Sequence, residues 1–165
     1  MAEILEFDKM FYTNFEPKMK HRFTVEMSGT EIQAYTVKVA QRPTIQFETV
    51  TLDHINIKRK LQGKGEWANV TMTLIDPIVP SAAQAVMEWV RLGHESITGR
   101  RGYADFYKKD LTIKMLGPVG DVIEQWTLKG AFIVNANFGE LDWANATDPA
   151  DITLEMAYDY AILEY

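Results

Sequence analysis

A chain of 165 residues, 47% apolar and 24% charged, has the size and composition of one globular domain and excludes a disordered or collagenous protein. The absence of cysteine removes disulfides, thiolate metal sites and cysteine nucleophiles together, and suits assembly in a reducing cytoplasm. A formal net charge of -6 argues against a protein built to grip nucleic acid, because such binding is driven by Lys and Arg displacing counterions from phosphates.

The opening segment, MAEILEFDKMFYTNFEPKMK, is acidic and interrupted by charges, so no secretory signal is expected there. No run is long enough to span a bilayer. In KHRFTVEMS, Phe23, Val25 and Met27 alternate with polar residues and predict a half-buried strand that turns at Gly29. EIQAYTVKVA predicts a second strand, broken by Pro43 from TIQFETVTLDHINIKRKL. That stretch is too long for one strand. It splits near Asp53 and His54 into two arms, the second leading to a basic tip at LQGKG, where Gly63 and Gly65 predict mobility. The long hairpin so defined spans 51–67. Its excess length, basic tip and glycines predict contact with neighbouring copies through Ile55, Ile57, Lys58, Arg59, Lys60, Gly63 and Lys64. WANVTMTLI then resumes β structure, with Trp67 at its start.

One helix is predicted at 81–93. Ser81 followed by Gln84 reads as a capping box, and Ala82, Ala85, Val86, Trp89 and Gly93 fall on one face. Glu88 and Arg91 point elsewhere. Beyond the basic loop GRRGY come LTIKML, VIEQWTLKG, GAFIVNANFG and DITLEMAYDY. The last of these places Ile152, Leu154, Met156, Tyr158 and Tyr160 on one side and its carboxylates on the other. Eight or nine strands and one helix, without strand–helix alternation, predict a mainly β fold. The expected form is an antiparallel β-sandwich or open barrel with one packed outer α-helix, a single domain over 1–165.

No catalytic constellation is evident. His21, His54 and His94 lack metal-ligand spacing, and GKG at Gly63 lacks the rest of a phosphate loop. Asp53 beside His54 has no nucleophile motif to complete it. No enzyme activity, cofactor or metal is expected. Sheet edges with few prolines invite pairing with another copy. Charge is also segregated. Beyond Lys129 there is no Lys or Arg but seven carboxylates, whereas basic residues gather at Lys58, Arg59, Lys60 and Lys64 and between Arg91 and Lys109. Such blocks are either solvated faces or complementary surfaces of neighbouring copies.

From Lys129 to Tyr160 the chain resembles the C-terminal part of tail-tube (inner tube) proteins of contractile-tailed bacteriophages. The resemblance lies in Lys129-Gly130 followed by Phe132, an Asn before Phe138-Gly139-Glu140-Leu141-Asp142-Trp143, and the closing Tyr158-Asp159-Tyr160. Ile133 departs from the proline often found there, and the segment 1–19 looks variable. The order of elements fits from about Lys20 to Tyr160. The resemblance implies a structural subunit of the virion tail, assembled in the bacterial host cytoplasm. Hexameric rings would join their sheets into one continuous inner β-barrel and stack into a tube. Implied partners are further copies, the tail sheath protein, and baseplate and tail terminator proteins, with DNA passing through the lumen without specific binding. Related tubes in contractile injection or secretion systems deliver proteins instead. A bore that must not hold DNA calls for polar and acidic lining, for which Glu48, Thr49, Thr51, Asn69, Thr71 and Thr73 are the expected residues. Glu88 and Arg91 are expected to face the sheath.

Overall fold

Alternating buried and exposed side chains build most of the fold, and the computed structural model describes residues 15–165. Much of the variable segment 1–19 therefore lies outside the described residues. In chain order the strands are β1 (Phe23–Met27), β2 (Val37–Ala40), β3 (Thr44–His54), β4 (Ile57–Ala68) and β5 (Val70–Ile75). Helices α1 (Ala82–Gly93) and α2 (Ala104–Tyr107) follow, then β6 (Lys109–Leu116), β7 (Val122–Asn137), β8 (Asp151–Ala157) and β9 (Tyr160–Leu163). The sheet order is β1-β6-β7-β8-β5-β2, with β9 also on β7, and every pairing is antiparallel.

Strand β7 belongs to both halves of this sheet. Its first half pairs with β6 and β9, and its second half pairs with β8. The change falls at Gly130, whose φ of +66° suits glycine and whose Cβ, if present, would lie 2.3 Å from Asp159 Oδ2. Asp159 N–H donates to Lys129 C=O at 3.0 Å, and Lys108 Nζ grips the Asp159 carboxylate at 2.8 Å. On the other flank Lys129 Nζ donates to Asp110 at 2.7 Å, which holds the Asp110 carboxyl below its usual range. The two expected strands VIEQWTLKG and GAFIVNANFG are thus one bent strand. Conversely, DITLEMAYDY is not one strand. It breaks at Tyr158-Asp159 opposite the bend, so Tyr158 is buried while Tyr160 is exposed.

The core joins Val25, Leu111 and Leu128 from one half to Leu74, Leu154 and Met156 from the other. Helix α1 adds Ala82, Ala85, Val86 and Trp89, the face its periodicity predicts. Ser81 Oγ accepts from Gln84 N–H at 3.4 Å, but the rest of the cap is not the expected box: Asp76 Oδ1 accepts from the Ala82 and Ala83 N–H groups at 2.9 and 3.2 Å. A carboxylate at the helix N-terminus also complements the dipole. EIQAY, expected to be strand, holds a 3-10 turn at Ala34–Thr36 that Thr36 Oγ1 closes by donating to Gln33 C=O at 2.7 Å.

Trp89 is 4% exposed and its Nε1–H donates to Tyr107 C=O at 2.7 Å, so removing it opens a cavity and strands that carbonyl. Trp89→Ala should cost about 3 to 5 kcal/mol by urea unfolding, and Glu88→Ala on the exposed face should be near neutral. Glu124 supplies a second anchor. Burial raises its pKa, but hydrogen bonds from Lys18, Trp126 and Arg42 outweigh that, and the carboxyl titrates below its ordinary 4.5. A depressed folded pKa contributes stability above the unfolded value that is lost as pH falls through the folded one. Glu124→Gln should therefore be less stable than the parent at pH 7. The gap should close progressively below about pH 4.3 in thermal unfolding across a pH series.

Candidate assembly surfaces

The β2-to-β5 segment forms one long ribbon. Ala40 faces Met72 in the body and Thr44 faces Ala68 beyond it, so the same register continues through the interruption at 41–43. Gln41 bridges the gap, its N–H donating to Thr71 C=O at 3.1 Å and its Oε1 accepting from Thr71 N–H at 3.2 Å. Strands β3 and β4 then run out as a separate two-stranded sheet. The turn is Ile55-Asn56, flanked by the His54–Ile57 pair, and not LQGKG as the glycines suggested. Gly63 and Gly65 lie within β4. A Cβ at Gly65 would sit 2.8 Å from the Phe47 ring, and one at Gly63 would sit 2.9 Å from Glu48 C=O. These glycines make room for neighbours rather than mobility.

A bulge between Phe47 and Thr49 sets two residues of β4, Gly63 and Lys64, against Glu48. It exchanges the ribbon's apolar face. Near the body Ile45, Phe47 and Trp67 share one side, with Trp67 packed 6.0 Å from the Tyr158 ring. Beyond the bulge that side carries Thr49, Thr51, Lys58 and Lys60, and the apolar residues Val50, Leu52, Ile57 and Leu61 take the other. All of these distal residues are exposed. Among the expected contact residues, Ile55 and Ile57 sit at the turn, Lys58, Arg59 and Lys60 follow it, and Gly63 and Lys64 lie at the bulge.

The polar side of β5, β8 and β7 is a second surface. Thr71 faces Glu155, Thr73 faces Thr153, and these face Asn135 and Asn137 in turn. Asn69 joins them by donating from Nδ2 to Glu155 Oε1 at 2.8 Å. Three of the six expected lining residues, Asn69, Thr71 and Thr73, thus belong together. Glu48, Thr49 and Thr51 lie on the ribbon, and Glu48 points to the side opposite Thr49 and Thr51. Sequence reading missed Asn135, Asn137, Thr153 and Glu155, which only long-range pairing brings to this face. Glu88 and Arg91 are exposed on α1. His21 precedes β1, His54 ends β3 and His94 follows α1, and the three form no common site.

Several solved structures share this architecture. The anti-feeding prophage tube-terminating cap superimposes with a TM-score of 0.75 at 19% identity, covering 99% of each chain. The sheath/tube terminator of an extracellular contractile injection system gives 0.74 at 18% identity over 92% of this chain and 99% of that one. A chain of the extended sheath-tube complex of such a system gives 0.66 at 20% identity over 90% and 91%. At these identities the likeness shows the fold. No curated protein sequence matches the chain. The sequence itself decides the family, since residues 19–162 match the profile described as T4-like virus tail tube protein gp19. That match takes in the bent β7, the ribbon, α1 and the closing strands, and the chain belongs to the T4-like virus tail tube protein family.

Proposed function

We propose that the protein is the structural subunit of a tail tube in which rings of six copies stack and the lumen conducts the genome during ejection. The ribbon is the observation that carries this reading. A lone two-stranded hairpin is marginal in water, and one that exposes Val50, Leu52, Ile57 and Leu61 along one side calls for cover from further copies. Strand edges that are free among the described residues supply the ring. In the half-sheet β7-β8-β5-β2 the outer edges are β2 and the second half of β7. These two run in opposite directions, so rotation about a tube axis brings β7 of one copy against β2 of the next as an antiparallel pair. Joined in this way, six half-sheets close into a barrel.

The polar face of that half-sheet is the natural bore. Thr71, Thr73, Asn135, Asn137 and Thr153 are uncharged, and Glu155 repels phosphate. At physiological salt this repulsion decays over about 8 Å, so it acts near the wall and leaves the axis free. Glu88 and Arg91 on α1 then lie outward, toward a sheath, and the two tube ends meet baseplate and terminator. A second reading, delivery of proteins by a phage-derived injection system, is favoured by the tube and terminator chains of the injection systems named above. Nuclease-protected DNA in intact particles supports genome conduction, and protein cargo in the lumen supports the other.

Replacing residues 50–61 with a two-residue Asn-Gly turn should leave a folded protein by circular dichroism that forms no tubes in negative stain. Tubes of normal length from this variant would sink the reading. Glu155→Lys should leave tubes intact but make them retain DNA in a salt-dependent manner, measured by co-sedimentation at 50 and 200 mM salt.

A further inference from the structure

The two ends of the body differ in chemistry, and they are matched to each other. At the end from which the ribbon leaves, everything beyond Ala40 and Val70 projects away. At the other end β5 stops at Ile75 opposite Asp151, and two loops lie side by side, since Asp76 N–H donates to Ala150 C=O at 2.9 Å. These loops, 76–80 and 138–150, present large apolar side chains to solvent. Ile78 is 95% exposed, Val79 85%, Leu141 91% and Trp143 fully so. Around them stand Glu140, Asp142 and Asp148, and neither loop contains a Lys or Arg. The longer loop is braced from within: Asp142 Oδ1 accepts from Ala144 N–H at 2.9 Å and Asn145 Nδ2 donates to Asp148 at 2.9 Å.

The ribbon tip carries the opposite chemistry. Ile55 is 97% exposed and Ile57 72%, and Lys58, Arg59 and Lys60 follow directly. Ile55 also has a φ of +51°, a left-handed conformation that a β-branched residue adopts at a cost. Neither solvation nor the turn favours isoleucine there. A partner that buries it would.

We propose that the surface formed by loops 76–80 and 138–150 is the seat for the ribbon tip of the next copy along the tube. The inference rests on the stacked-tube reading and adds which surface receives the ribbon. Tip and seat lie at opposite ends of one chain, so the contact is head-to-tail and repeats without closing. Apolar meets apolar within a rim of opposite charge, which sets polarity and register.

The protein lacks cysteine, which makes disulfide trapping free of background. Ile55→Cys combined with Trp143→Cys in one chain should give a ladder of covalent multimers on oxidation, and neither single variant should do so. Adding Lys58→Glu and Lys60→Glu should reduce the ladder at least several-fold, and further adding Glu140→Lys and Asp142→Lys should restore it. Tubes in negative stain without that ladder, or with tip-to-tip dimers of Ile55→Cys alone, would overturn the seat and leave the tube reading standing. A protein that yields neither tubes nor cross-links at any concentration would overturn both.

Discussion

The structure depends on the bend in β7 at Gly130. A single 16-residue strand serves two half-sheets because one residue adopts φ of +66° and Asp159 occupies the space a side chain would need. Two lysine-carboxylate pairs, Lys108–Asp159 and Lys129–Asp110, flank the bend. Exposed pairs of this kind are worth little in stability. Their role is to fix geometry: the Lys129 ammonium is held charged by Asp110, and the strand leaves the bend in one direction. Without the bend the two half-sheets would lose their shared strand, and the core between Leu128 and Met156 would have no common wall.

From that wall the remaining surfaces follow in order. The half-sheet beyond the bend has a buried face and a polar face, and its two outer edges run in opposite directions. The ribbon grows from the same half-sheet by continuing the β2–β5 register outward. Magnitudes decide what holds copies together. Burying one Val, Leu or Ile side chain yields roughly 1.5 to 3 kcal/mol, so the four distal apolar residues of the ribbon offer on the order of 10 kcal/mol. A protein association costs about 4 to 15 kcal/mol in lost freedom. Ribbon burial alone is therefore of the size needed to balance association. In the proposed assembly, backbone pairing at the edges would supply the surplus, and the charged rims would select orientation.

What the sequence made legible was local. Helix α1 came out with its ends and its buried face, because a Ser81 cap and a 3.6-residue period need no distant partner. Strands β1 and β6 and the polar alternation of β8 were equally readable. The ribbon tip was not. Glycine is the usual sign of a turn, but Gly63 and Gly65 answer to Glu48 and Phe47 across the ribbon, and the turn is made at Ile55-Asn56 against residue preference. The break between β8 and β9 was hidden for the same reason, since its cause is a glycine 29 residues upstream of Asp159. Period-two alternation put Thr71 and Thr73 on one polar side of β5. It could not give Asn135, Thr153 or Glu155, which join them only through pairing across the sheet. It also separates Glu48 from Thr49, neighbours in sequence that face opposite ways.

A contact that joins opposite ends of identical subunits has no intrinsic stopping point. In the proposed stack each added ring would present the same seat and the same tip as the one before, so the free energy per ring would be constant and nothing in the subunit would count. Length must then be set from outside, by a component that occupies one end and offers no matching surface at the other. The same bent sheet can serve that purpose. The anti-feeding prophage cap has this fold over 99% of its length at 19% identity. In the proposed tube, retaining the body would keep the sheet edges compatible with the ring beneath, while changes in loops such as 76–80 and 138–150, or in the ribbon, would remove the next attachment point. Loops are where such changes cost the least stability, because they touch neither the Gly130 bend nor the core it supports.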